Sequence, residues 1–294
     1  MQRFVPLENN MANNHAGNIV DHSVVRQFEK NIPIRNFSIK YVHTGHESYR
    51  INGKPLNVKE GHYLLANHHS SAHLYVDCKQ DVHGICIDVD RHLLSQVVSS
   101  YAHPDLVQMD STQLNFFARE NYAPSVLSSK QTNVGANLAS ICNRIIATTQ
   151  GQFTLPTDFY YQVAKALIDD HIKMHNELQS ITVVKQSTRL ELHQRLIRGK
   201  EFMDDYFLHN LNVKSIAEVC GLSEFHFYRL FRSVFKVTPH KYLTTKKLIH
   251  CHTLIQCGHH SITEVASQSG YSDIHSFSKA FKQHFGVSPS KYLQ

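Results

Sequence analysis

The C-terminal third of the chain carries one phrase twice, and that duplication restricts the possible folds more than any other feature. The first copy reads Ile216-Ala217-Glu218-Val219-Cys220-Gly221-Leu222-Ser223, then Tyr228-Arg229-Leu230-Phe231-Arg232, then Phe235-Lys236-Val237-Thr238-Pro239-His240-Lys241-Tyr242-Leu243. The second reads Val265-Ala266-Ser267-Gln268-Ser269-Gly270-Tyr271-Ser272, then Ser278-Lys279-Ala280-Phe281-Lys282, then Phe285-Gly286-Val287-Ser288-Pro289-Ser290-Lys291-Tyr292-Leu293. Gly221 aligns with Gly270 at an offset of 49 and Phe231 with Phe281 at an offset of 50, so the second copy holds one extra residue after its glycine. Two copies are too few for a solenoid, which needs more repeats to bury a continuous core. A pair of small helical units with equivalent binding elements fits the duplication.

Each copy has the pattern of a helix-turn-helix. A short apolar helix ends at a glycine that can take the left-handed conformation. Ser223 and Ser272 stand where a side-chain oxygen can cap the next helix, and Asp273 competes for that role in the second copy. That next helix has apolar residues at three- and four-residue spacing: Phe227, Leu230, Phe231 and Phe235, or Phe277, Ala280, Phe281 and Phe285. The other face is polar and basic, with His226, Arg229 and Arg232, or His275, Ser278, Lys279 and Lys282. Such a helix fits the DNA major groove, about 12 Å wide.

With its two Gly-centred turns, its Phe231-Arg232 and Phe281-Lys282 pairs and its closing Gly286–Leu293 phrase, the segment from about residue 190 to 294 resembles the DNA-binding domain of AraC-type (AraC/XylS) transcription regulators. The first copy departs from the family pattern at Lys236, where the second has Gly286. At Lys279 family members often carry arginine, whose two-pronged contact with guanine lysine cannot make. The resemblance implies a sequence-specific DNA-binding regulator, more often an activator, with double-stranded DNA and RNA polymerase as partners. It also implies an N-terminal cupin-like domain that holds a small-molecule effector, forms a homodimer, or both.

Charge supports the division. Residues 185–294 hold 15 Lys and Arg against 8 Asp and Glu, a net of +7, whereas residues 1–184 come to −1. A basic half joined to a neutral one fits a phosphate-binding domain attached to another module. The 294 residues are enough for two domains, each with its own core. No apolar run is long enough to span a membrane, and the N-terminus does not open as a secretory signal. Six cysteines without a C-x-x-C pair read as reduced, buried thiols in a cytoplasmic protein.

The first domain, residues 1–180, reads as a β-barrel followed by helices. Residues 1–20 are Asn-rich and read as a frayed terminus. Over 36–88, Phe37, Ile39, Tyr41 and His43 alternate with Ser38, Lys40 and Val42, and Asn52-Gly53 between alternating runs marks a hairpin. Helices follow near Arg91–Ser100, Gln131–Thr149 and from Pro156 onward. Residues from about 179 to 189 read as a polar join. The fold class is therefore α+β: an N-terminal barrel with helices, then an all-α domain of two helix-turn-helix units joined by a long helix starting at Pro239.

Two sets of binding residues follow. Phe225, His226, Tyr228 and Arg229 of the first recognition helix, and Ile274, His275, Ser276 and Lys279 of the second, are expected to face bases. Arg232, Lys241 and Lys282, and the helix starts at Ser261 and Ser288, are expected to meet phosphates, which orient without reading sequence. In the barrel, Tyr41, His43, Tyr49, Ile51, Tyr63 and Leu65 are expected to face inward, either as an effector pocket or simply as core. Seven histidines between His43 and His83 raise the alternative of a metal-dependent cupin enzyme fused to a DNA-binding tail. The 23 histidines are spread through both halves, however, and the sequence has neither a catalytic triad nor a phosphate loop, so no metal, cofactor or enzyme activity is expected.

Overall fold

The computed structural model describes residues 17–101, 114–120, 122–147, 155–183, 185–258, 260–271 and 273–292. The polar N-terminal stretch 1–16, Ser272 and Leu293 lie outside the described residues. The chain divides into two compact units, Met1–Met174 and His175–Gln294.

The first unit contains an antiparallel sheet of seven strands: β1 (Ile19–Ile32), β2 (Phe37–Thr44), β3 (His46–Ile51), β4 (Lys54–Lys59), β5 (His62–Ala66), β6 (Ala72–Val89) and β7 (Ser125–Ser128). The long β6 organises it. Its first half pairs with β3, its second half with β2, and β1 runs along both halves on the other edge. The sheet folds over itself into a nearly closed barrel. The expected turn at Asn52-Gly53 joins β3 to β4, with both residues at positive φ. β1 and β7 were not foreseen. Short apolar residues such as Val20 and Val24 are scattered among charges in β1, and four residues in β7 give too little alternation to recognise.

The sheet buries two different faces. One packs Phe37, Ile39, Tyr41, Tyr63, Leu65, Ile85 and Ile87 against helices α1 (Arg91–Ser100), α2 (Asn133–Ala147) and α3 (Thr157–Gln179). The other, inside the barrel, gathers Val42, Tyr49, Ile51, Val58, Leu64, Leu74 and Val82. This corrects the expectation that six residues share one interior. Tyr49 and Ile51 face inward, Tyr41, Tyr63 and Leu65 face the helices, and His43 lies beside Tyr41 at 6.4 Å between ring centroids. The cause is a register shift between Val42 and Thr44 followed by the Gly45 corner, which reverses the odd–even phase between β2 and β3.

The second unit begins in the last turn of α3 and continues through α4 (Gln186–Tyr206), α5 (Val213–Cys220), α6 (Glu224–Phe235), α7 (Pro239–Cys257), α8 (Ile262–Gln268) and α9 (Ile274–Phe285). Each helix-turn-helix has its own core. Leu192, Leu196, Ile216, Phe227, Phe231 and Leu243 form the first, and Leu248, Cys251, Ile255, Val265, Phe277 and Phe281 the second. Helix α7 thus contributes Leu243 to one core and Leu248 onward to the other. Its 19 residues span about 28 Å.

The segment expected to be a polar join is packed instead. Ile181 is fully buried in the first core, Ser233 Oγ donates to the Ser180 carbonyl at 2.8 Å, and His193 meets Glu177 at 2.7 Å. Among the described residues, no helix is long and apolar enough to cross a membrane. Of the six thiols, Cys142, Cys220 and Cys251 are buried, Cys78 and Cys86 half-buried, and Cys257 exposed.

Candidate nucleic-acid interface

Both turns form as the glycines require. Gly221 ends α5 at φ 62°, and Gly270 follows α8 at φ 77°. Ser223 Oγ caps α6 by accepting from His226 N, whereas Asp273 rather than a serine caps α9 by accepting from Ser276 N at 2.7 Å. The two recognition helices end alike too. Lys236 stands at φ 57° where Gly286 stands at φ 80°, so the lysine adopts the left-handed conformation its counterpart takes freely. The departure at Lys236 therefore leaves the backbone in the same left-handed region as at Gly286.

Fixed in this way, the recognition helices bury Phe227 and Phe231, or Phe277 and Phe281, and present the opposite side to solvent. On α6, Phe225, Arg229 and Arg232 recur at helical spacing and are all exposed, Phe225 to 77%. His226 is half-buried, and Tyr228 packs partly against the first core. On α9, Ile274, His275, Ser276, Lys279 and Lys282 are exposed, but the Ser276 hydroxyl is already spent on Asp273 Oδ2 at 2.7 Å. Phe225 and Arg229 thus set an apolar ring and a guanidinium side by side on the exposed face of α6.

The expected phosphate contacts divide. Arg232, Lys241 and Lys282 are exposed cations. Ser261 is committed elsewhere: Glu264 Oε2 accepts from both its N–H, at 2.7 Å, and its hydroxyl, at 2.9 Å. The hydrogen bonds from Ser261 hold the Glu264 carboxyl below its ordinary pKa, so this helix start carries a negative charge where a phosphate was expected. Ser288 is half-buried, its hydroxyl 3.3 Å from that of Ser290.

Two supporting residues were missed. Arg195 Nη1 donates to the Gly221 carbonyl at 3.2 Å, and Lys247 Nζ lies 3.5 Å from where a Cβ on Gly270 would sit. Each turn therefore has beside it a basic side chain from the long helix that comes before its helix-turn-helix, α4 or α7. Asp204, nearly buried, accepts from Tyr242 at 2.6 Å and pairs with Lys246 at 2.8 Å, tying α7 to α4. In the barrel, no group of three or more His, Cys, Asp or Glu among the described residues is arranged to hold a metal ion.

Residues 216–294 match the family model described as "Helix-turn-helix domain". Over 91 residues the chain is 32% identical to the "Probable transcriptional regulator LumQ" of Photobacterium leiognathi, covering 31% of this chain and 37% of that protein. It is 23% identical over 183 residues to the "Lactose operon transcription activator" of Staphylococcus xylosus, covering 61% of this chain and 62% of that one. The chain thus spans between about a third and two thirds of the length of these relatives. Among solved structures, ToxT of Vibrio cholerae aligns over 95% of this chain and 98% of its own, at 13% identity and a TM-score of 0.38. Residues 216–294 of this chain are a helix-turn-helix domain.

Proposed function

We propose that the protein is a sequence-specific DNA-binding transcription regulator, acting as an activator, in which α6 and α9 enter neighbouring major-groove segments. The observation that carries this reading is the duplicated exposed face: Phe225, Arg229 and Arg232 on one helix, Ile274, His275, Lys279 and Lys282 on the other. Helix α7, about 28 Å long, is of the size needed to hold two recognition helices near the roughly 34 Å repeat of one DNA face. Arg229 and Lys279 read bases, while Arg232, Lys241 and Lys282 hold phosphates. The barrel holds a small-molecule effector, with Tyr49 and Ile51 inside it. The unit that contains the barrel forms the homodimer contact, RNA polymerase is the partner in activation, and the protein works in the cytoplasm.

The test is DNA affinity, by fluorescence anisotropy, on a selected site against scrambled duplex. Changing Arg229 and Lys279 together to alanine should lower affinity for the site by roughly a hundredfold or more, since each base contact is worth about 1–3 kcal/mol. Binding to scrambled duplex should hardly change. Equal affinity of variant and wild type for the selected site would defeat the assignment.

A further inference from the structure

The inside of the barrel is not wholly apolar. Register places Lys40 opposite Cys86, Ser38 opposite Asp88 and Asp21 opposite Cys86 on the inward side, and Glu47 lies in phase with Tyr49 on β3. Lys40 is only 8% exposed. Its ammonium donates to Cys86 Sγ at 3.0 Å, a weak acceptor, and no carboxylate among the described residues reaches it at ion-pair distance. Glu47 is 3% exposed, and its Oε2 accepts from Tyr49 at 2.5 Å. Its other oxygen, Oε1, takes no hydrogen bond from any described residue and occupies the space where Gly84 lacks a side chain. Asp88 is already served by Ser38 and Cys86. Cys86 remains half-buried although it points inward.

Against the cost of burial, Cys86, Asp88 and Glu47 raise the Lys40 pKa, so an ammonium held by a thiol alone and a carboxylate oxygen that takes no hydrogen bond both keep bonding capacity on the inward side. Building on the reading that the barrel holds an effector, we propose that this interior binds a small zwitterion of the amino-acid type, its carboxylate on Lys40 and its ammonium on Glu47 Oε1. A simple acid satisfies Lys40 but adds a fourth carboxylate to Asp21, Glu47 and Asp88. A simple amine satisfies Glu47 but brings a second cation toward Lys40. A zwitterion meets both groups and adds no net charge. Burial raises the Glu47 carboxyl pKa, against the hydrogen bond from Tyr49 and the charge of Lys40. A bound ammonium brings it back down, so binding releases protons.

The experiment titrates the full-length protein by calorimetry and thermal shift with each common L-amino acid, with the acid left by removing its amine, with the amine left by removing its carboxylate, and with a panel of neutral sugars. At least one amino acid should raise the melting temperature, and its two half-molecules should bind at least tenfold more weakly. Lys40→Met and Glu47→Gln should each weaken the amino acid at least tenfold. If the deaminated acid or the amine binds as well as its parent, one charge suffices and the zwitterion is refuted, while the effector reading stands. If no amino acid binds but a neutral sugar does, the same holds. If amino acids, acids, amines and sugars all leave the melting temperature and heats unchanged, both readings fail together. The wild-type comparison needs no variant, so misfolding of Lys40→Met cannot mask the result.

Discussion

Gly199 sits in the middle of α4, where the usual rule says that alanine is better. In an exposed helix, Gly→Ala gains about 1 kcal/mol. Here the position is buried against the first helix-turn-helix. A Cβ on Gly199 would overlap Cys220 Sγ, lie 3.2 Å from Phe227 Cε2 and lie 3.5 Å from Ile216 Cγ2. Cys220 and Phe227 are themselves almost completely buried, so neither can move aside cheaply. Overpacking costs about 1–3 kcal/mol, and a buried sulfur and a rigid ring in the way put this site in the upper half of that range, about 2–3 kcal/mol. Set against the propensity gain, Gly199→Ala should be net destabilising by about 1–2 kcal/mol. Urea unfolding of the full chain, following the transition of the C-terminal unit, measures it. A cycle with Cys220→Ala sharpens the test, because removing the sulfur opens the space the new methyl needs. The double variant should then lose less than the two single losses combined, with a coupling of about 1 kcal/mol or more. Stabilisation by Gly199→Ala, or strict additivity with Cys220→Ala, would show that α4 does not pack against α5 and α6 as described.

Other consequences follow from single residues. Asp273→Ala should destabilise the second unit by about 1 kcal/mol in chemical unfolding and weaken DNA binding, because it uncaps α9. Lys236→Gly should stabilise by about 1 kcal/mol, since relief of the left-handed backbone outweighs loss of an exposed hydrogen bond to Ser180 at 3.1 Å. Alkylation at mildly basic pH, mapped by mass spectrometry, should label exposed Cys257 and spare Cys86, Cys142 and Cys220, whose thiols burial pushes up to about 12, 11 and 11. Burial also raises the Asp21 and Glu47 carboxyls, so their contribution favours the folded barrel below the ordinary carboxylate range and is lost as pH rises through the raised values. Glu47→Gln should flatten that part of the stability–pH curve, measured by thermal unfolding from about pH 4 to 7.

The C-terminal half was readable because its determinants are local and written twice. Glycines, caps and the phenylalanine spacing each act within a few residues, so Gly221, Ser223 and Pro239 took the positions their chemistry required. Arg195, Lys247 and Asp204 escaped notice because they act across helices, at separations that no short pattern marks. The barrel was legible as strands but not as faces. One shift between Val42 and Thr44 separated Tyr41 from Tyr49, and no periodicity within either strand could reveal it. The same slip hid Lys40 and Glu47, which in the sequence look like ordinary solvent-facing charges. Ser261 was misjudged for another reason: a helix start attracts anions, and here the chain supplies its own in Glu264.

The measurement that bears most directly on the central claim is in vitro selection of random duplex DNA by the purified full-length protein, repeated with Arg229→Ala and with Lys279→Ala. Wild type should enrich two short blocks of fixed bases about one helical turn apart. Arg229→Ala should erase information in one block and Lys279→Ala in the other. Absence of any enriched motif with and without the candidate effectors, or loss of the same block in both variants, would contradict two recognition helices reading adjacent grooves.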